Sequence, residues 1–324
     1  MLATPRRSIR ARTGIALLAL PFAVIACGGD KSPNALAAAE TKPATPVVPV
    51  SNVRTPTKSD PIVGSGVSTV PMYSSGDEAY KAGSYRDAAE LYKVRVGSKP
   101  DDANGYYMLG LSSWKAGDFA GAKEAFDRSI ELNPKFAKSY FNGARVLLDL
   151  KRAPEALELI EKGRTIDSTS PDGLRLKARA QSEGGDIDDA ISTYRELLVG
   201  NDADTWGLNN LGVLLLNRGE FEDALGPLAR VVQVQPTAPL FQNNFGMALE
   251  RSGHKTAALR HYELAVQHDS TFAKALKNAE RLRGIVTDTV VTGEASVEEL
   301  AEEFRLKVKA WKEAMKDEVK PVQP

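Results

Sequence analysis

Residues 103–136 read ANGYYMLGLSSWKAGDFAGAKEAFDRSIELNPKF, and this 34-residue pattern decides the fold. The chain repeats the pattern without insertion or deletion, so one alanine recurs at Ala88, Ala122, Ala156, Ala190, Ala224 and Ala258. A fixed period of roughly 20–50 residues is typical of repeat architectures, in which each unit must stack on its neighbours to bury its apolar face. The period divides 69–272 into the six units 69–102, 103–136, 137–170, 171–204, 205–238 and 239–272.

Three further positions indicate that each unit is a pair of helices. The eighth position is always Gly or Ala, which lets two helices approach closely. The fifteenth is Gly in five units and Lys151 in the third, where the first helix should end in a left-handed residue. The twenty-fourth lies four residues after the alanine, on the same helix face. It is always large and apolar: Tyr92, Phe126, Ile160, Tyr194, Leu228 and Tyr262.

The units resemble the tetratricopeptide repeat (TPR) family. The best match is the quoted unit, which carries the family's residues at Tyr106, Leu109, Gly110, Gly117, Ala122, Phe126 and Pro134. The resemblance implies an all-α, right-handed α-solenoid of six helical hairpins that presents a binding surface. We expect residues 273–283 to form a capping helix, because a solenoid end needs a polar outer face.

One residue interrupts the helical pattern. Pro227 falls inside the predicted second helix of unit 5, directly after Gly226. A proline in a helix interior costs about 3 kcal/mol, because it has no N–H and its ring meets the preceding turn. We therefore expect a bend or a late start in that helix.

Residues 1–26 resemble the signal peptide of a bacterial lipoprotein. Four arginines precede a short apolar run, and residues 1–26 contain no acidic residue. The run is too short to span a membrane as a stable helix. The run ends Val24-Ile25-Ala26-Cys27, and Cys27 is the only cysteine in the chain. The resemblance implies acylation of Cys27 and a place in the bacterial cell envelope. By the family's sorting pattern, Gly28 indicates the outer membrane, facing the periplasm.

Residues 27–68 predict a lipid-anchored, disordered tether. Six prolines and no aromatic residue fall among Ala, Thr, Ser and Val. Such a composition cannot bury a core, and proline-rich segments are extended. We expect the tether to hold the repeats away from the membrane.

Charge and motif content argue against nucleic-acid binding and catalysis. The chain carries 42 basic and 42 acidic residues, and removing 1–26 would leave a net charge of −4, with no basic field for DNA or RNA. No phosphate-binding glycine loop, HExxH motif or nucleophile elbow occurs, so we expect no catalytic residue and no cofactor. His254, His261 and His268 are spaced by seven, about 10 Å per step along a helix, which is too far to share a metal ion. We interpret them as surface residues and expect no metal site.

The resemblance also implies a concave groove lined by the first helix of each unit. Its early part would be aromatic, and its later part rich in amides and arginines. The candidate peptide-binding residues are Tyr107, Phe141, Asn142, Arg145, Arg175, Arg179, Asn210, Asn244, Lys274 and Asn278.

Two features of this groove suggest its ligand. Asparagine recurs at the sixth position in Asn142, Asn210, Asn244 and Asn278. This is similar to the asparagine ladder in the TPR superhelix of O-linked N-acetylglucosamine transferase, which implies a grip on a peptide backbone. A merely solvated surface is the alternative. The arginines could receive an acidic segment by bidentate pairing, unless Asp149, Asp172 and Glu183 neutralise them.

Residues 295–320 predict a C-terminal amphipathic helix, preceded by a linker at 284–294. Ser296 and Glu299 have the spacing of a capping box. An apolar stripe follows at helical spacing, consisting of Val297, Leu300, Phe304, Val308, Trp311 and Met315. The stripe favours a helix folded back onto the solenoid. A dimerisation or partner helix is the alternative, and it makes a homodimer a candidate assembly.

Together these features predict a membrane-anchored adaptor that binds envelope proteins or peptides, without enzymatic activity. One version resembles the pilotins of type IV pili, which promote secretin assembly, and another resembles adaptors for peptidoglycan-processing enzymes. A self-assembling structural protein, held together by the C-terminal helix, belongs to a different class.

Overall fold

The computed structural model describes residues 72–285 and 296–318, and within these ranges it contains fourteen α-helices and no strand. The helices are α1 Met72–Lys81, α2 Tyr85–Ser98, α3 Ala103–Ala116, α4 Phe119–Leu132, α5 Ala137–Asp149, α6 Ala153–Ile166, α7 Pro171–Gly184, α8 Ile187–Gly200, α9 Thr205–Arg218, α10 Phe221–Val234, α11 Pro239–Arg251, α12 Lys255–His268, α13 Ala273–Arg283 and α14 Val297–Glu318. The predicted all-α solenoid of six hairpins, with a capping helix and a C-terminal helix, is confirmed. The predicted segments 1–26 and 27–68, with Cys27, and most of 284–294 lie outside the described residues.

The helices of the six hairpins alternate between two layers. From α3 to α13, each odd-numbered helix lies against the next odd-numbered helix, whereas successive even-numbered helices are further apart. The more closely spaced layer of a curved stack is its concave side. The odd-numbered helices therefore form the inner layer, and the even-numbered helices from α2 to α12 form the outer layer.

The first helix of every unit ends in a left-handed residue, as the sequence predicts. Five of these residues are glycines, and the sixth is Lys151, with φ of 61°. Lys151 is the only residue other than glycine with positive φ among the described residues. An L-residue with a side chain pays roughly 1–2 kcal/mol for this conformation, so unit 3 carries a local strain that the other five units lack.

We expect Lys151→Gly to raise the free energy of unfolding by about 0.5–1 kcal/mol. Glycine removes the strain from the folded state, but part of this gain is lost because glycine makes the unfolded chain more flexible. The ion pair that would be lost, 3.6 Å between Lys151 Nζ and Glu183 Oε2, is largely exposed on the lysine side and contributes little. Urea unfolding of the two proteins measures the difference. Gly185→Lys, at the equivalent position of unit 4, should be destabilising, and a stable Gly185→Lys protein would contradict the argument.

Each hairpin closes around the small residue at its eighth position. A Cβ atom on Gly110 would lie 2.8 Å from ring atoms of Phe126, which is fully buried. In unit 5, a Cβ on Gly212 would lie 2.4 Å from Leu228 Cγ. The large residue at position 24 therefore fills the space that the small residue leaves, and this contact locks the two helices of a unit together.

Helix α10 corrects the expectation for Pro227. The helix begins at Phe221 and continues through Pro227 to Val234, so the predicted late start is wrong, while the bend stays a prediction. Its Gly226 faces α14, where a Cβ would lie 3.1 Å from Phe304 Cβ and Cδ2. The Gly-Pro pair thus lies where another helix packs closely against α10, and this tertiary contact offsets the helix-breaking tendency.

Helix α14 folds back onto the outer layer, where it packs against α8 and α10. Its buried face is formed by Ala301, Phe304 and Val308, which are at most 5% exposed. The capping box is confirmed, because Glu299 N donates to Ser296 Oγ at 3.1 Å and Ser296 N donates to Glu299 Oε2 at 2.9 Å. The apolar stripe is therefore covered by the chain itself, as the first of the two alternatives requires.

The interpretation of His261 as a surface residue is wrong. His261 is half-buried between α11 and α12, where its Nδ1 lies 2.7 Å from Gln242 Oε1 and its ring packs edge-on against Phe245 at 4.6 Å. Burial, helped by the charge of Arg260, lowers the pKa of His261 from 6.5 to about 4. The neutral imidazole is thus the form that the folded chain accepts.

This pKa predicts an acid-sensitive contact. The unfolded chain binds a proton at His261 below pH 6.5, whereas the folded chain resists protonation down to about pH 4. The resulting loss of stability between these pH values is about 3 kcal/mol. Hydrogen exchange in α11 and α12 at pH 7, 5.5 and 4 should show this loss in the natural chain and a weaker pH dependence in His261→Gln. Parallel pH curves for the two proteins would contradict it.

Candidate functional site

The predicted peptide-binding residues all lie on inner-layer helices. Tyr107 is on α3, and α5 carries Phe141, Asn142 and Arg145. The others follow along the layer, with Arg175 and Arg179 on α7, Asn210 on α9, Asn244 on α11, and Lys274 and Asn278 on α13. The inner groove is defined here as the exposed surface of α3, α5, α7, α9, α11 and α13. It divides into three zones with different chemistry.

In the zone of α9, α11 and α13, five asparagines form a continuous chain of hydrogen bonds. Asn278 Nδ2 donates to Asn243 Oδ1 at 3.1 Å, and Asn243 Nδ2 donates to Asn244 Oδ1 at 3.3 Å. Asn244 Nδ2 donates to Asn209 Oδ1 at 2.8 Å, and Asn209 Nδ2 donates to Asn210 Oδ1 at 3.2 Å. These five residues are called the amide chain below. It links the two last units and the capping helix through their side chains.

The amide chain is only partly accessible. Asn209, Asn243 and Asn244 are each at most 9% exposed, while Asn210 and Asn278 are half-buried. A side-chain amide has two N–H donors and two acceptor lone pairs, so the chain leaves about half of this capacity unused. The free capacity is most accessible at Asn210 and Asn278, the two ends, rather than at Asn244.

Apolar residues that the sequence analysis did not single out lie beside the amide chain. Trp206 on α9 and Leu240 and Met247 on α11 are half-buried and pack against the main core. The ring of Trp206 meets Phe241 at 5.8 Å, edge to face. Trp206 and Leu240 occupy the second position of their units, so the groove positions of the TPR family could have indicated them. Lys274, at the second position on α13, is exposed and has no ion-pair partner among the described residues.

The middle zone, on α5, α7 and α9, is neutralised by ion pairs between successive inner helices. Arg145 Nη2 donates to Asp172 Oδ1 at 2.7 Å, and Arg179 Nη2 donates to Asp149 Oδ1 at 3.1 Å. Arg179 Nε also donates to Glu183 Oε1 at 2.7 Å. The three acids that the sequence raised as an alternative therefore hold these arginines. A bound acidic segment would have to displace them.

Arg175 is paired with a residue that the sequence analysis missed. Its Nε donates to both carboxylate oxygens of Asp204, at 3.0 and 3.1 Å. Asp204 is 4% exposed and also accepts from Gly207 N at 2.8 Å, which caps the start of α9. The pair with Asp204 is the main reason that the pKa of Arg175 is raised.

The early zone, on α3 and α5, is aromatic. Tyr107 Oη accepts from Asn142 Nδ2 at 3.1 Å, and the tyrosine ring packs against Phe136 at 5.0 Å. Trp114 Nε1 donates to Asp149 Oδ2 at 2.8 Å, which fixes the indole in the groove. Asn142 is 9% exposed and donates as well to Lys138 O at 3.1 Å, so its amide is largely used within the chain.

Phe141 does not line the groove. It is 3% exposed, and its ring lies where a Cβ on Gly163 or on Gly173 would be, at 2.7 and 2.9 Å. The ring therefore packs between α6 and α7, and Phe141 is a core residue.

Within 72–285 and 296–318, no group of three or more His, Cys, Asp or Glu side chains is arranged to hold a metal ion. The described helices include none that combines the length and the apolar character needed to span a bilayer.

A stack of helical hairpins whose inner layer carries a polar and aromatic groove defines an α-solenoid binding scaffold. The family model for the tetratricopeptide repeat matches residues 107–171, 175–239 and 209–273, just over half of the chain. The chain therefore belongs to the tetratricopeptide repeat family. It is a scaffold of the kind used for protein–protein interaction.

Curated relatives share the repeats over part of their length. Intraflagellar transport protein 70A of Bos taurus is 26% identical over 193 residues, 57% of this chain and 29% of the relative. Stress-induced-phosphoprotein 1 of Caenorhabditis elegans is 27% identical over 50% of each chain, and Protein O-mannosyl-transferase Tmtc3 of Drosophila melanogaster is 28% identical over 54% of this chain and 19% of the relative. The chain thus spans half or less of these relatives. The TPR fold is typically a non-catalytic scaffold, although one of these relatives is a transferase.

Solved structures with the same fold cover more of the chain. PilW, described as a widely conserved type IV pilus biogenesis factor, matches with a TM-score of 0.59 and 14% identity, over 67% of this chain and all of PilW. The pilF protein of Pseudomonas aeruginosa matches with a TM-score of 0.52 and 18% identity, over 68% of this chain and 99% of pilF. At these identities the likeness shows the fold alone.

Proposed function

We propose that the inner groove at α9, α11 and α13 binds an extended peptide segment of a partner protein. The observation that carries this proposal is the amide chain, which is ordered by its own hydrogen bonds and keeps unused donors and acceptors at Asn210 and Asn278. The middle zone offers no comparable site, because its arginines are already paired.

The chemistry of this zone suits a peptide backbone. Amide side chains can donate to a backbone carbonyl and accept from a backbone N–H, whatever side chains the peptide carries. The apolar surface of Trp206, Leu240 and Met247 lies alongside and could hold alternate side chains of an extended strand. Because neighbouring side chains already fix the amides, little conformational entropy is lost when a peptide binds.

We further propose that the scaffold is a lipid-anchored adaptor of the bacterial cell envelope, without catalysis of its own. The support is the lipobox-like Val24-Ile25-Ala26-Cys27 at the end of a basic and apolar leader. Cys27→Ser should abolish labelling of the protein by a fatty-acid analogue in cells. The double variant Cys27→Ser/Ser51→Cys restores one cysteine at another position, and labelling of that variant would contradict acylation specific to Cys27.

Among the possible roles of an envelope adaptor, we favour a part in type IV pilus biogenesis. Its support is the likeness in fold to PilW over the whole length of that protein. An adaptor for peptidoglycan-processing enzymes has no comparable observation in its favour. Self-assembly through α14 is disfavoured, because the stripe that would form the contact packs on α8 and α10 of the same chain.

Photo-crosslinking in cells tests the groove directly. A probe replaces Lys274, which is exposed in the groove, and the control probe replaces Gln267, which is exposed on the outer helix α12. Asn244 is unsuitable for the probe, because it lies within the amide chain. A discrete protein adduct from the Lys274 probe alone is the expected result. Equal adducts at both positions, or none from Lys274, would overturn groove binding.

A further inference from the structure

Lys115, at the early end of the groove, lacks an acidic partner among the described residues. In the middle zone, four cations are paired with four acids. These are Arg145, Arg175, Arg179 and Lys151, against Asp149, Asp172, Glu183 and Asp204. Lys115 on α3 has no carboxylate within ion-pair distance among the described residues. It therefore adds an uncompensated positive charge beside a neutral network.

The position of Lys115 is fixed by an aromatic ring. Its Nζ lies 4.7 Å from the centre of the Trp114 ring, and the Arg145 guanidinium lies over the same ring at 5.6 Å. Cation–π contacts of this kind attract a charged side chain to the face of the ring. The indole is held in turn by its hydrogen bond to Asp149. The contact with Trp114 thus restricts the position of the ammonium group within the groove.

The surroundings of Lys115 disfavour its charged form. Partial burial, followed by the nearby positive charge of Arg145, lowers the pKa of Lys115. An anion placed next to the ammonium would reverse both effects, because it supplies an opposite charge and a hydrogen-bond acceptor.

We propose that Lys115, held over Trp114, binds a carboxylate carried by the partner peptide. This inference rests on the proposed function, since it requires a peptide in the inner groove. Asp or Glu side chains and a C-terminal carboxylate share this chemistry. The site lies on α3, and Lys274 lies on α13, five inner-layer helices further along the groove. It would therefore anchor one end of a segment whose backbone is held at the amide chain.

The test uses the full chain with its lysines carrying ¹³C-methyl groups, which keep the positive charge and give one NMR signal set per lysine. Three acetylated Gly/Ser peptides of equal length serve as probes. The first has a central Glu and an amidated C-terminus, the second a central Gln and a free C-terminus, and the third a central Gln and an amidated C-terminus. Lys115→Met identifies the Lys115 signal and removes the charge while keeping an apolar stem over Trp114. Lys255→Met, at an exposed lysine of the outer helix α12, is the matched control.

We expect a carboxylate-bearing peptide to shift the Lys115 signal and raise its pKa, and to bind about tenfold more tightly than the neutral peptide. Lys115→Met should remove this preference, and Lys255→Met should keep it. Preference for the Glu peptide or for the free C-terminus identifies the source of the carboxylate. Equal binding of charged and neutral peptides, or equal effects of the two lysine variants, would overturn the carboxylate site and leave groove binding standing. If none of the peptides binds, both the site and the proposed function fail.

Discussion

Phe126→Ala should lower the free energy of unfolding by about 4 kcal/mol, the largest single-residue effect that we expect in this chain. Phe126 is fully buried, lies over Gly110 and packs 5.9 Å from the Tyr107 ring. Truncation removes both the apolar contact and the plug that holds α3 against α4, and the backbone at Gly110 cannot move in to fill the cavity. Urea unfolding, together with hydrogen exchange in α3 and α4, measures the loss.

The repeat itself supplies the control. Unit 5 has Leu228 at the position that Phe126 occupies in unit 2, so a leucine is compatible with a glycine at position eight. Phe126→Leu should therefore cost less than about 1.5 kcal/mol. If the alanine and leucine variants lose the same stability, the pairing of positions 8 and 24 is not what holds a hairpin together.

Asp204→Ala should cost about 3 kcal/mol, the second largest effect. The carboxylate caps α9 through Gly207 N, and loss of a cap typically costs about 1 kcal/mol. It also accepts hydrogen bonds from Nε and from Nη2 of Arg175, and hydrogen bonds to charged groups contribute about 1.5–3 kcal/mol. Removing Asp204 leaves the guanidinium of Arg175 with only the distant Asp172, at 3.8 Å.

Asp118 separates the two parts of this effect. It caps α4 through Gly121 N at 2.9 Å in the same way, but it is exposed and pairs with no arginine in the described ion pairs. Asp118→Ala should therefore cost only about 1 kcal/mol. Thermal unfolding of both variants, at low and at high salt, compares them. Equal losses for the two variants would show that the bond to Arg175 contributes nothing.

The features that the sequence predicted correctly depend on local patterns. The 34-residue period, the small residue at position eight and the left-handed residue at position fifteen fix the hairpins, because each acts within one unit. The capping box at Ser296 and Glu299 is equally local, since its two bonds join residues three positions apart. Even the strained Lys151 follows from the register of the repeat.

The features that the sequence did not predict depend on contacts between units. The amide chain joins residues 35 positions apart, such as Asn209 and Asn244, and its geometry depends on how one hairpin is rotated onto the next. The spacing of His261 from the other histidines carries no information about the facing helix, where Gln242 contacts the imidazole. Helix propensity at Pro227 is a local property, whereas the packing of α14 at Gly226 brings in a helix that is distant in the sequence.

The packing of α14 on α8 and α10 also affects the order in which the chain folds. The side-chain bonds that join neighbouring units span at most 35 residues, whereas Arg305 Nε reaches Asp202 Oδ2 at 3.3 Å across 103 residues. Closing the longer loop costs about 1 kcal/mol more in chain entropy than closing one of 35 residues. The hairpins can therefore nucleate and spread by near-neighbour steps, and α14 docks last, onto a surface that exists only once α8 and α10 are in place.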